Sequence, residues 1–189
     1  DLSPREQIAA LRDGELDVAL IGQEGAAAAR EFHSAKLCSL GVCAAVSDDD
    51  RLAAKNSITL KDLKGRDFIG IDGDEMPGRN HWMTALCKTA GFKPRFVAIV
   101  DGLTTVMSHV VSEAAVTLVP AYFARSSHPG VTFVPVSDAK ARWDFIVLCQ
   151  KGSASAAARA LVDALKQVAV GRQSAVRFSK HQHMPAASG

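Results

Sequence analysis

Residues able to engage a ligand gather at three places. Ser3-Pro4 stands ahead of a helical pattern, Asp72-Gly73-Asp74-Glu75 runs on toward Arg79, and Asp101-Gly102 precedes Thr104-Thr105. The second and third follow strand-like runs and lead into helix-like ones. In open α/β sheets such turns collect beyond the carboxyl ends of the strands, where ligands sit. Free amides and the helix dipole at a helix start favour anions, typically carboxylates. Arg79 can clamp a carboxylate; read as a plain surface arginine, it pairs with Asp74 or Glu75. The acidic run at 72–75 pulls the other way and favours an amine-bearing ligand. Ser3, Thr104 and Thr105 also read as simple helix caps.

Other chemistry finds little support. There is no G-x-S-x-G elbow, no phosphate loop and no H-E-x-x-H. His33 and His81 stand alone, and Asp17 reads as a structural residue bonding turn amides. Cys38, Cys43, Cys87 and Cys149 lack C-x-x-C spacing and sit in apolar stretches, the pattern of buried free thiols in a reducing compartment. His181-Gln182-His183-Met184 reads as a disordered end and not a metal site. The expectation is no catalytic residue, no cofactor and no metal.

The bulk composition is 48% hydrophobic with a net charge of +2, which suits a packed core and is too near neutral for a surface built to hold DNA phosphates. The first residues lack a secretory leader, and no apolar run reaches the ~18 residues of a membrane span. The expected location is therefore the cytoplasm, with no membrane contact.

Elements must position the three places. Ser3-Pro4-Arg5-Glu6 spells a capping box, and Gly14 ends its helix. Strands are expected at Leu16–Ile21, Lys36–Val46, Phe68–Ile71, Arg95–Val100, Val116–Val119, Val131–Val136 and Asp144–Cys149. Thr59 to Leu63 forms a helical turn. Pro77 starts a helix burying Trp82, Met83, Leu86, Cys87 and Ala90, and Thr104 or Thr105 caps one burying Val106, Met107, Val110 and Val111. Ser153 to about Val170 forms the last helix, with Leu161, Ala164, Leu165 and Val168 on one face. The alternation predicts α/β layers around largely parallel sheets.

The order of several short motifs resembles the effector-sensing domain of LysR-type transcriptional regulators. Leu11-x-x-Gly14-x-Leu16-Asp17 is followed by a long strand, by Asp50-Arg51-Leu52-Ala53, by Leu60-Lys61-Asp62-Leu63, and by Val110 to Pro120. The family pattern runs L-x-x-G-x-L-D, H-P-L-A, L-x-D-L and G-x-G-(V/I)-x-L-x-P. This chain departs from it with Asp50-Arg51 for His-Pro and Ala114-Ala115 for glycines.

The resemblance implies an α/β fold of two lobes with mixed sheets, like the type 2 periplasmic binding proteins. Lobe one would hold residues 1–65 plus 141–176, lobe two 66–140, with a flexible tail at 177–189. The family's first strand, helix and second strand have no counterpart, so lobe one is expected to be incomplete. The resemblance also implies a small-molecule effector between the lobes, touching Ser3, Pro4, Asp72, Gly73, Arg79, Asp101, Gly102 and Thr104. It implies a homodimer or homotetramer, contacting DNA only through an N-terminal winged helix-turn-helix absent here. Two other readings share the scaffold: a transporter's solute-binding protein, and an enzyme of prephenate-dehydratase or deaminase type.

Overall fold

Helix α1, Pro4–Asp13, begins as its sequence dictates. The Ser3 hydroxyl accepts from the Glu6 amide at 3.3 Å, the Glu6 carboxylate accepts from the Ser3 amide at 2.7 Å, and Pro4 fills the first helical position. Gly14 closes it, and the chain turns into β1, Val18–Gly22. The computed structural model describes residues 2–22, 30–152 and 155–179.

Strand β2, His33–Ser47, spans 15 residues and changes partners along its length. Its first part, His33 to Gly41, pairs with β7, Arg142–Cys149; its second part, Val42 to Ser47, pairs with β5, Thr117–Pro120, and β6, Val131–Pro135. Strand β1 pairs with the other edge of β7. All these pairings are antiparallel. The parallel ladder lies between β3, Asp67–Ile71, and β4, Arg95–Val100, and β3 meets Val116 by a parallel bridge. The expectation of largely parallel sheets is thus corrected to mixed sheets. Strand β2 carries the antiparallel pairing from β7 on to β5 and β6.

The core follows the strand period. Val42, Ala44 and Val46 of β2 enter one cluster with Leu52, Leu60, Leu63 and Phe68; Cys43 and Ala45 enter another with Ile69 and Ile71. Helix α2, Arg79–Thr89, covers the first face with Trp82, Met83, Leu86 and Cys87, and α3, Leu103–Ser112, covers the second with Val106, Met107 and Val110. Residues 42–63 therefore pack both with Phe68 and α2 and with Ala141 and Trp143 at the start of β7. A separate cluster joins Leu11, Ala19, Ile21, Phe32 and Leu148 under α1.

Several expected details shift. Helix α2 starts at Arg79 because Gly78 turns the chain with φ +85°, so Pro77 lies outside it. Helix α3 starts at Leu103 after Gly102, so Thr104 and Thr105 lie inside its first turn and do not cap it. Val111 is exposed. Helix α4, Ala156–Ser179, carries two apolar stripes. Among its described side chains Ala158 and Val162 are buried and Leu165 is half-buried, whereas Leu161 and Val168 of the expected face are 50% and 57% exposed. Its expected start at Ser153 and the tail beyond Ser179 lie outside the described residues, and residues 177–179 are helical. The amides of Glu15 and Leu16 bond the Ala10 carbonyl, leaving Asp17 exposed without the turn bonds expected of it.

Asp50, at the departure from His-Pro, has a structural task. Its carboxylate pairs with Arg66 and accepts the Leu52 amide at 2.9 Å, while Arg66 also donates to the Ala114 carbonyl. The Arg66 hydrogen bond holds the Asp50 carboxyl below its ordinary range. Asp50→Asn should cost about 2 kcal/mol, less than breaking a fully enclosed pair because Arg66 keeps some contact with water. Because the folded carboxyl is depressed, this contribution is present above the unfolded value of about 4 and fades as pH falls through the folded one. Urea unfolding at pH 7 and below pH 4 should show wild type and variant converging in acid.

Candidate functional site

The carboxyl ends of β3 and β4 lie side by side, with Ile71 opposite Val100 and the Asp72 amide donating to the Val100 carbonyl at 2.9 Å. This places Asp72-Gly73 beside Asp101-Gly102. The Asp72 carboxylate turns into its own loop and accepts the Asp74 amide at 2.7 Å. Gly73 and Gly102 both border open space, since a Cβ at either would meet no atom within 4 Å. Helix α3 then opens with no side-chain cap and no acidic residue in its first turn, and exposed Thr104 lies within that turn.

The start of α1 comes to this loop through a residue that sequence reasoning passed over. Arg5 Nη1 lies 3.9 Å from Asp74 Oδ2. The pair is exposed and stabilises little, but it places Ser3-Pro4 within one side chain's reach of the 72–75 loop. At α1 itself Glu6 already occupies the dipole's positive end, and its bonds to Ser3 keep its carboxyl below the usual range. An anion arriving there therefore meets Arg5 more favourably than it meets the helix amides.

Arg79 is not the surface arginine expected as its plain reading. Its side chain is 1% exposed, Nη2 donates to the Leu118 carbonyl at 2.6 Å, and the guanidinium sits 5.6 Å from the centre of the Trp143 ring. Asp74, offered as its partner, pairs with Arg5. Of the eight candidate positions, Asp72, Gly73, Asp101 and Gly102 form one group, Ser3 and Pro4 approach it from α1, and Thr104 flanks it. Arg79 lies apart, inside the fold at the base of α2.

Two further features position the group. Asn80 accepts the Ile71 amide at 3.0 Å and donates to the Ile71 carbonyl at 2.8 Å, so it completes the end of β3 as a neighbouring strand would. Gly70 permits this, because a Cβ there would stand 2.9 Å from Asn80 Oδ1. A glycine inside a strand run was the available signal of close approach. Between β2 and β7, Ser39 donates to Asp144 at 2.5 Å, Asp144 pairs with Lys36 at 2.8 Å, and Arg142 donates to the Ser39 carbonyl at 2.5 Å. This network ties β2 to β7 just before β2 changes partners.

The four cysteines are free; Cys43 and Cys87 are buried and Cys38 and Cys149 partly so. Burial raises the Cys38 and Cys43 thiols and pushes Cys87 up to about 12, which opposes thiolate chemistry. Among the described residues no cluster of His, Cys, Asp and Glu could hold a metal ion, and no helix is long and apolar enough to cross a membrane.

Comparison with known proteins places this fold. The HTH-type transcriptional regulator TfdS of Cupriavidus pinatubonensis is 33% identical over 84 residues, which are 44% of this chain and 28% of TfdS. The BenM effector binding domain with its effector benzoate superposes with a TM-score of 0.72 at 15% identity, covering 100% of this chain and 82% of that one. Full-length CbnR complexed with its target DNA gives 0.73 at 17% identity, covering 89% of this chain and 58% of that one. The likeness to these structures is one of fold, two-lobed and mixed α/β, and this chain spans little more than half of full-length CbnR. The model of the LysR substrate binding domain matches residues 2–170, and the chain belongs to that family.

Proposed function

We propose that this chain is the ligand-sensing part of a LysR-type transcriptional regulator, and that its effector is a small carboxylate. The ligand would enter between the start of α1 and the paired loops after β3 and β4, touching Ser3, Pro4, Asp72, Gly73, Asp101, Gly102 and Thr104. Arg79 would act from beneath through the base of α2. The observation that carries this reading is the Arg5–Asp74 approach at 3.9 Å, which joins the two sides of the opening beside two unfilled glycine positions. Two of the structural neighbours hold carboxylates, BenM its effector benzoate and QuiR shikimate, whereas an OxyR of Corynebacterium glutamicum holds H2O2.

In this reading the domain carries out no reaction. The effector shifts the orientation of two lobes, by no more than its difference in affinity for the two arrangements. The parent regulator would act in the cytoplasm as a dimer or tetramer and touch DNA through a separate winged helix-turn-helix. Family membership favours this over a transporter's solute-binding protein.

Thermal unfolding of the full chain against benzoate, shikimate and other small carboxylates tests the proposal. A true effector at one hundred times its Kd should add about 2.7 kcal/mol of stability. No shift from any carboxylate, with the circular dichroism of the folded chain intact, would overturn the carboxylate assignment. A shift from amines alone would overturn it too and point to the acidic 72–75 loop.

A further inference from the structure

A second feature lies at the other end of the β3 ladder. The opening proposed above adjoins Ile71, at the carboxyl end of β3. Near its amino end, where Leu63 and Lys64 lead into Asp67, is an open depression of about 400 Å³. Arg51, Leu52, Lys55, Lys61, Asp62 and Lys64 line it. Four cations thus surround one carboxylate, on a chain whose total net charge is only +2.

That carboxylate is already engaged. Asp62 accepts the Thr59 amide at 2.7 Å, the Thr59 hydroxyl at 2.8 Å and Lys55 Nζ at 3.1 Å. These bonds hold its carboxyl down at about 2. Lys61 and Lys64 have no ion-pair partner among the described residues. Arg51 shares Asp50 with Arg66, and Asp48 accepts the Thr132 hydroxyl at 2.6 Å.

The frame is stiff. Leu52, Leu60 and Leu63 are buried to 2% exposure or less, and the Leu60 amide donates to Asp138 at 2.7 Å. Lys61 lies on the 3-10 turn Leu60–Leu63, and Lys64 directly follows it with its amide donating to the Lys61 carbonyl at 3.1 Å, so the two stand close together.

We propose that this depression binds a compact multivalent anion, a phosphorylated small molecule, independently of the carboxylate opening. The volume suits a small ligand. A nucleic-acid backbone would need an elongated stripe of cations, and this is one concave cluster. Ammonium groups on long stems act as point charges toward phosphate oxygens. Lys61 and Lys64, without a carboxylate partner among the described residues, and Arg51, which shares Asp50 with Arg66, call for an anion carrying more than one charge.

Titration calorimetry of the full chain with sodium pyrophosphate tests the proposal. The expected result is saturable binding at one site, weakened about tenfold or more in Lys61→Gln/Lys64→Gln and unchanged in Gly102→Trp. Both lysines are exposed, so the double variant should keep its fold. A nucleoside diphosphate and a sugar monophosphate run alongside identify the source of the phosphate, and competition by either supports the site. Absence of binding up to about 10 mM pyrophosphate, or binding untouched by the lysine changes, would overturn it. So would binding of an acidic peptide in place of pyrophosphate.

Discussion

Replacing Trp143 with alanine is expected to lower the unfolding free energy by about 4 kcal/mol. Trp143 is 2% exposed on strand β7 and meets Trp82 edge to face at 4.6 Å. The hole left by alanine would not readily collapse. Trp82 is the neighbour best placed to fill it, but its indole N–H donates to the Arg142 carbonyl at 3.1 Å and pins it. Arg79 would lose its aromatic face while still buried and held by the Leu118 carbonyl, adding an electrostatic cost to the lost packing. Phenylalanine should be far milder. The Trp143 indole nitrogen is buried without a hydrogen-bond partner among the described residues, so its removal forfeits no bond and relieves a desolvated donor. Urea unfolding should move the midpoint down by about 2 M for alanine, at a slope of about 2 kcal/mol/M, with phenylalanine near wild type. A loss under about 1 kcal/mol for alanine would mean that Trp143 does not fill this core.

What the sequence discloses is what its residues settle with near neighbours. Helix α1 was legible because Ser3, Pro4, Glu6 and Gly14 specify both its ends within one short segment. Strand β4 was legible for the same reason, lying between local turns. The antiparallel pairing was not. The run Val42 to Val46 shows that β2 is buried on both faces, but nothing local marks Gly41 as the place where its partner changes. Arg79 misled because an acidic run precedes it, whereas its burial depends on Trp143, 64 positions later. Helix α4 offers two apolar stripes, and only the packed fold selects Ala158 and Val162 over Leu161 and Val168. The candidate site divides likewise. Its loops were found from strand-to-helix transitions, and Arg5, which joins them to α1, was missed because its partner is 69 positions away.

The other large effect is expected at Gly102. Gly102→Trp should weaken carboxylate binding about a hundredfold or more, while Gly102→Ala should leave it within a few-fold of wild type. Both variants bear the same backbone penalty. Gly102 has φ +74° and ψ 155°, a conformation that costs an L-residue about 1–3 kcal/mol. Both should therefore melt earlier than wild type, and alanine reports that strain by itself, since its Cβ would meet no atom within 4 Å. Tryptophan adds bulk in the open space beside Asp72, where the proposed ligand would lie. Calorimetry with the carboxylate that raises the melting temperature separates the two contributions. Binding lost with tryptophan and kept with alanine locates the ligand next to Gly102. Equal binding in both variants would move the ligand away from the ends of β3 and β4. Equal loss in both would make the backbone conformation of the turn the decisive feature, because obstruction cannot act through a methyl group that touches nothing.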